Sequence, residues 1–348
     1  TSTFGDVAVL PDGGDGFAPR TRRGGLALRP ESGFPGCLVV DDWIVPEPPT
    51  LTVGDRLERP VVGLVDSAFG AWRVLNTEPL EAVEPSAFAA ERTTLARDAD
   101  HLVVATLNVE NLSARSDDAK LATAAATIVD HLGAPDVVAL QEIQDDSGPD
   151  DDGTVSAAAT LGRLVEAVAA AGGPRYGWRQ ADPDDGADGG MPGGNIRVAF
   201  LFDPSRVEVV DRDGGGSREV RVLQGPALSV SPGRLGATDP AFVADAERGL
   251  EGTRKPLAVE LRFNGRTVFL VNLHLISKLG DDPELCRRRP PRRWSEARRV
   301  EQARVVRGLV EELAASDPGA AVVVLGDLNE HEFRAPAREL AAAGLENL

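Results

Sequence analysis

Asn108, Glu142, His274, Asp327 and Asn329 are the residues of this chain whose types and placement lend themselves to chemistry. Each closes or directly follows a short apolar run. Leu102–Leu107 precedes Asn108, Asp136–Leu140 precedes Gln141-Glu142, Val268–Val271 leads into Asn272-Leu273-His274, and Ala321–Leu325 into Gly326-Asp327-Leu328-Asn329. A buried strand that ends on a carboxylate, amide or imidazole can deliver that side chain into a crevice shared with its neighbours. Carboxylate and amide oxygens suit a hard cation such as magnesium, which keeps several of its waters. A cation so held can neutralise a phosphoryl oxygen and stabilise a leaving oxygen. Taken singly these residues are ordinary, since Asn after a strand commonly forms a turn and Asp commonly caps a helix. Their shared position is what carries information.

The elements that must position them follow from hydrophobic patterning. Lys120 to His131 carries Leu121, Ala124, Ala125, Ile128, Val129 and Leu132 at the helical period and stops at Gly133. Thr160–Ala171, before Gly172-Gly173, and Glu296–Ala315 read as helices too. Ile196–Phe202 and Leu257–Phe263 are further strands. Apolar strands without alternation are buried on both faces, which predicts an α/β (α+β) arrangement of sheets covered by helices or by each other.

Residues 1–80 have a different texture, rich in Gly and Pro and without helical period. Cys37–Val40, Val61–Val65 and Ala71–Leu75 read as strands, the last two forming a hairpin through Asp66–Gly70. The expected organisation is a small all-β module, OB-like or a partial barrel, over 1–80, a linker over 81–100 and a strand–helix domain over 101–348, with Trp72 in the core of the module. Asp145–Gly153 and Ala181–Gly194 are strings of Asp and Gly that read as loops or disorder. The first lacks the alternation and closing Glu of a calcium-binding EF-hand loop.

With 348 residues, 42% of them hydrophobic, the chain can bury a sizeable core, which excludes global disorder. A net charge of −18 would repel a polyanion if spread evenly, so a nucleic-acid substrate requires clustered arginines or a bound cation. Cys37 and Cys286 are the two cysteines, too few for a zinc site of their own or a disulfide framework, and the four histidines show no ligand spacing. No apolar run approaches the ~20 residues of a membrane span.

In order, the strand-end residues resemble the motifs of the deoxyribonuclease I-like superfamily of endonucleases, exonucleases and phosphatases. Thr106-Leu107-Asn108-Val109-Glu110-Asn111-Leu112 resembles its first motif and Asp136-Val137-Val138-Ala139-Leu140-Gln141-Glu142 its second. Val271-Asn272-Leu273-His274-Leu275 resembles the histidine motif, and Leu325-Gly326-Asp327-Leu328-Asn329-Glu330 the Gly-Asp-Leu/Phe-Asn motif. The resemblance covers 101–348 and implies a four-layer sandwich of two β-sheets flanked by helices. It also implies metal-dependent phosphodiester hydrolysis. Asn108 and Glu142 would bind Mg2+, with Ca2+ or Mn2+ as alternatives, and Asn111 would be a weaker ligand. His274 would be one of two histidines flanking the scissile phosphate, giving charge stabilisation or a proton to the leaving oxygen. Asp327 would activate the attacking water and Asn329 hydrogen-bond a phosphoryl oxygen. Arg254, in Arg254-Lys255-Pro256-Leu257, is expected to contact substrate together with Asn272 and Lys278.

The superfamily also contains sphingomyelinases and inositol phosphatases, so the motifs alone leave the substrate open. Ser277–Pro283, the run Arg287-Arg288-Arg289-Pro290-Pro291-Arg292-Arg293 and the helix with Glu296, Arg299, Gln302 and Ala303 resemble bacterial secreted nucleases that carry an extra β domain. Val53-Gly54-Asp55-Arg56 and Val61–Gly70 resemble that domain, where Phe69, Trp72 and Arg73 are available to a single strand. The expectation is a secreted, non-specific endonuclease of DNA, with RNA as a further substrate. The alternative is a phosphodiesterase or phosphatase acting on lipid or small phosphate esters. Two departures from the pattern matter. Some relatives place an acidic residue before the strand at Arg197 to pair with the histidine, whereas here Asn195 stands in that region and would not raise the histidine pKa as a carboxylate does. Relatives also continue with an Asp-containing strand and an Asp-His pair. The C-terminal part of the sandwich is therefore expected to be missing, and a chain truly ending at Leu348 would read as a binding module without catalysis.

Overall fold

The computed structural model describes residues 5–17, 20–21, 25–30, 38–68, 70–81, 83–212, 222, 225–282, 284 and 290–348. Cys37, Phe69, Pro283, Cys286 and Arg287 to Arg289 lie outside them. The chain divides into two compact units: residues 1–90 with 278–295, and residues 91–277 with 296–348.

The first unit holds strands β1 (Val7–Val9), β2 (Leu38–Asp41), β3 (Arg56–Leu57), β4 (Gly63–Ala68), β5 (Ala71–Asn76) and β6 (Val83–Glu84). Four of them form an open mixed sheet in the order β1-β2-β5-β4, and β3 pairs with β6. The register Ala68↔Ala71 makes the β4–β5 turn shorter than Asp66–Gly70 suggests, because cross-strand pairing draws Asp66, Ser67 and Ala68 into the strand. Arg73 is buried in this sheet and is balanced there by Asp6 and Asp41. Trp72, expected in the core, is 54% exposed. Alternation along β5 explains this: Ala71 and Arg73 face inward, so Trp72 between them faces outward. Within 278–295, four described residues are paired. Asp282 and Arg292 exchange two hydrogen bonds of 2.9 Å, and Ser295 donates its N–H and hydroxyl to Asp281.

The second unit runs β7 (Val104–Leu112), α1 (Asp118–Ala126), β8 (Val137–Ile143), α2 (Ala158–Ala170), β9 (Gly177–Gln180), β10 (Arg197–Phe202), β11 (Glu208–Val209), β12 (Gly233–Arg234), β13 (Leu257–Phe263), β14 (Arg266–His274), α3 (Glu296–Ser316), β15 (Ala321–Asp327) and α4 (Ala335–Ala341). One sheet has the order β7-β8-β10-β9 and the other β11-β13-β14-β15, with β12 also paired to β13.

Period-two alternation divides their apolar residues between layers. Val138 and Leu140 of β8 pack under Leu121, Ile128, Leu161 and Leu164 of the first helical layer. Val137 and Ala139 turn the other way, onto Val259, Leu261 and Leu270 of the second sheet. Phe269, Val271 and Leu273 of β14 face α3 through Ala303, Val306, Leu309 and Leu313. The result is helix, sheet, sheet, helix. Each fully buried Leu or Ile contributes about 1.5–3 kcal/mol.

One expectation needs correction, and another settles on one of its alternatives. The second half of the anticipated linker belongs to this unit: Thr93 donates to the His131 carbonyl at 2.8 Å, and Arg97 pairs with Asp136 at 2.9 Å. The Asp- and Gly-rich strings are ordered loops. Asp145 and Asp188 are 0% and 1% exposed, because hydrogen-bond donors and buried cations satisfy their carboxylates. Among the described residues no helix is long and apolar enough to cross a membrane.

Candidate active site

Parallel pairing brings the strand ends together. β7 runs parallel to β8 with Asn108 opposite Gln141, and β14 runs parallel to β15 with His274 opposite Asp327. Two extra residues bulge from β7 between Asn108 and Leu112. Glu110 and Asn111 within that bulge, and Glu142 beside it, hold positive φ angles of 52°, 57° and 60°, and Asn329 follows at 50°. Left-handed backbone in four non-glycine residues costs about 1–3 kcal/mol each, and such strain gathers where side chains must be aimed. Gly326 has a packing reason: a Cβ there would lie 2.0 Å from the Leu273 carbonyl oxygen, so only glycine lets β15 carry Asp327 alongside His274.

Four side chains from both sheets meet here. The Asn108 amide donates through Nδ2 to Glu142 Oε1 at 3.0 Å and to Asp327 Oδ2 at 3.2 Å. His274 Nε2 lies 3.9 Å from Glu142 Oε1 and 3.8 Å from Asp327 Oδ2. Asp327 Oδ1 accepts the Asn329 N–H at 2.7 Å, and Asn329 Nδ2 donates to the Leu275 carbonyl at 3.0 Å. Arg254, 7% exposed, donates to the same carbonyl at 2.9 Å. Burial pulls the Arg254 guanidinium below its ordinary pKa, while Glu142, Asp327 and Asp188 act against that. Burial, and then the charge of Arg254, push the His274 imidazole down to about 3, with Asp327 pulling it up. The ring is therefore neutral at pH 7 in this arrangement. His274 Nδ1, Arg254 Nε and Asn111 Oδ1 are buried polar atoms without a hydrogen-bond partner.

Residues 105–347 match the endonuclease/exonuclease/phosphatase family model. The chain belongs to that family. Residues 1–85 match a domain of unknown function, DUF8508. No curated protein matches the chain.

Among solved structures, D. rerio TDP2 complexed with single strand DNA product is 20% identical, covering 70% of this chain and 64% of that one, with a TM-score of 0.37. The human Nocturnin catalytic domain with bound sulfate is 14% identical over 69% of each chain, TM-score 0.38. A β-hairpin deletion mutant of Staphylococcus aureus beta toxin is 14% identical over 71% of this chain and 73% of that one, also at 0.38. The chain spans 63% to 66% of the length of three TDP2 structures it matches.

The family's phosphoester chemistry generally uses a divalent metal. Among the described residues no group of three or more His, Cys, Asp and Glu side chains is set to hold a metal by itself. The donors present nonetheless suit a hard cation that takes one or two carboxylates and retains its waters. Glu142 and Asp327 both converge on one hydrogen-bearing amide, the place where positive charge is best received.

Three expected substrate contacts fare differently. Arg254 is brought to the site. Lys278 belongs to the other compact unit. Asn272 is fully buried between the sheets: its Nδ2 donates to the Leu140 and Ala199 carbonyls at 2.9 Å each, and its Oδ1 accepts from Gln141 at 2.7 Å. It clamps one sheet to the other, which removes it from substrate contact. Asn195 is no partner of His274, since its amide binds Asp145, Asp185, Thr154 and Gly186.

Arg299 and Gln302 turn out to position the site, although the sequence places them only on a family-like helix. Gln302 accepts the Ile276 N–H at 3.0 Å and donates to Ala241 and Thr253. Arg299 holds the Ile276 and Ser277 carbonyls and pairs at 3.0 Å with Glu330, next to Asn329. The available signal was polar residues on the helix face that also carries Ala303 and Val306.

Proposed function

We propose that this protein hydrolyses phosphodiesters with a divalent cation, and that its substrate is nucleic acid, DNA foremost. The convergence of Asn108, Glu142, His274 and Asp327 at the ends of strands from two sheets carries the reading. Glu142, with the Asn108 amide turned to present its oxygen, would hold the cation, Mg2+ in the first instance; when bound it would neutralise charge developing on the phosphoryl group.

The chain's own residues supply the remainder. Asp327, held by the Asn329 N–H, orients the attacking water and takes its proton. His274 donates a hydrogen bond toward the phosphate and leaving oxygen through the nitrogen that faces the crevice. Arg254 backs the carboxylates with positive charge, and Asn329 keeps one amide hydrogen beyond the one given to Leu275 for a phosphoryl oxygen. In-line displacement of this kind depends on positioning and electrostatics.

The arginine-rich segment from Arg287 to Arg293 favours a polyanion over a lipid headgroup, since the chain is otherwise strongly acidic. Action outside the cell is part of the proposal and rests on the resemblance to secreted nucleases. The test, on the full-length protein, is plasmid nicking and RNA degradation with added magnesium, run beside sphingomyelin and inositol-phosphate assays. Nicking that EDTA abolishes and magnesium restores is expected. Release of phosphocholine or inorganic phosphate with nucleic acid left intact would overturn the substrate assignment, and inactivity in every assay would overturn the enzyme.

A further inference from the structure

Close to Arg254 lies a second charged cluster that the proposed chemistry does not use. Asp188, in the loop between β9 and β10, is shared by two buried cations: Arg234 of β12, and Lys255, whose Nζ is 2.5 Å from Asp188 Oδ1. The three side chains are 2%, 5% and 5% exposed. Lys255 also donates to the Ala187 carbonyl at 3.3 Å.

At the same place two backbones interlock. A Cβ on Gly189 would lie 2.1 Å from the Gly252 carbonyl oxygen, and one on Gly252 would lie 1.9 Å from the Ala187 carbonyl oxygen. Residues 187–189 therefore rest directly on the segment that leads through Thr253 to Arg254. The guanidinium of Arg254 feels Asp188 as well as Glu142 and Asp327.

Two buried cations beside a third are tolerable only while a carboxylate is shared among them. We propose that Asp188 is a positioning residue for Arg254, pinning residues 252–255 through Lys255 and Arg234 so that the guanidinium stays behind the catalytic carboxylates. Its effect on turnover rests on the phosphodiesterase reading above. Its effect on the segment does not. Asp188→Asn keeps the shape, removes the charge and leaves Arg234 and Lys255 without their counter-ion.

The test is a cycle of wild type, D188N, R254A and D188N/R254A in the full chain, assayed on bis(p-nitrophenyl) phosphate with magnesium and followed in parallel by hydrogen exchange. D188N is expected to lower kcat/KM about tenfold in the wild-type background and less than twofold once Arg254 is gone, the coupling expected of residues in one network. Exchange is expected to quicken over 186–190 and 250–256 while 137–143 stays protected. Equal losses in both backgrounds would show general destabilisation and overturn the proposal. Unchanged exchange over 250–256 would overturn it whatever the activity. A wild type that cleaves no diester fails the phosphodiesterase reading, and hydrogen exchange still decides the clamp. Should D188N fail to fold, K255M, which keeps the Asp188–Arg234 pair, takes its place in the cycle.

Discussion

Glu142 and Asn272 show how differently two polar residues near the same strand ends behave. Glu142 is partly open and shares the Asn108 amide with Asp327. Glu142→Gln keeps its shape but removes the charge that would hold a cation. Loss of at least about 10²-fold in kcat is expected, with an unchanged circular dichroism spectrum. A variant retaining wild-type turnover would remove Glu142 from the chemistry. Asn272 is committed entirely to the opposing sheet, so Asn272→Ala takes a donor from two carbonyls and an acceptor from one Gln141 amide hydrogen inside the sandwich. That should cost about 3 kcal/mol in denaturant unfolding while KM stays within twofold. A raised KM at unchanged stability would instead make it a substrate contact.

At the scale of elements, α3 carries more than packing. Its apolar residues Ala303, Val306, Leu309 and Leu313 dock on β14, and Arg298, Arg299 and Gln302 fasten the loops at 241–253 and 276–277. Gln302→Leu preserves volume and helix propensity but frees the Ile276 N–H and the Thr253 hydroxyl, and leaves the Ala241 carbonyl to Arg298. We expect a loss of about 1–3 kcal/mol, and a fall in kcat larger than any change in KM, because His274 and Arg254 lose their common support at residues 275–276. Turnover that survives the lowered stability would reduce α3 to packing alone. The helix itself was legible as Glu296–Ala315 from its period, and α3 spans Glu296–Ser316. The partners of its polar residues were not legible, since Gln302 meets Ala241 from 61 positions away.

On the scale of the molecule, a chain of net charge −18 builds its interior ion pairs far from even distribution. At the amino end of β8, Asp136 receives Arg97 and Arg206, and Arg97 also reaches Asp203. Burial opposes charge on Asp203, yet hydrogen bonds from Ser205 and Arg97 prevail and hold its carboxyl below the ordinary carboxylate range. A depressed folded-state pKa contributes stability above the unfolded value of about 3.9 and loses it as pH falls through the folded value. Thermal midpoints should therefore drop steeply below about pH 4, and Arg97→Ala should flatten that drop as well as lower the midpoint at pH 7. An identical slope in both proteins would assign acid lability to other carboxylates.

The sequence by itself determined the run of strands and helices from about residue 100 onward, because apolar period is a local property. It also determined which strand ends carry Asn108, Glu142, His274 and Asp327, because those residues adjoin the apolar runs directly. Tertiary structure alone decided the orientation and pairing of polar groups. It turned Trp72 outward, closed Asn272 between the sheets, buried Asp188 between Arg234 and Lys255, and tied Asn195 to the Asp-rich loops instead of His274. The burial of Asn272 and Asp188 and the tie of Asn195 to Asp145 depend on partners tens to more than a hundred positions away, as Gln141 and Asn272 are at 131. Burying a polar group is affordable only where such a partner arrives, and a linear pattern records the group but not the arrival.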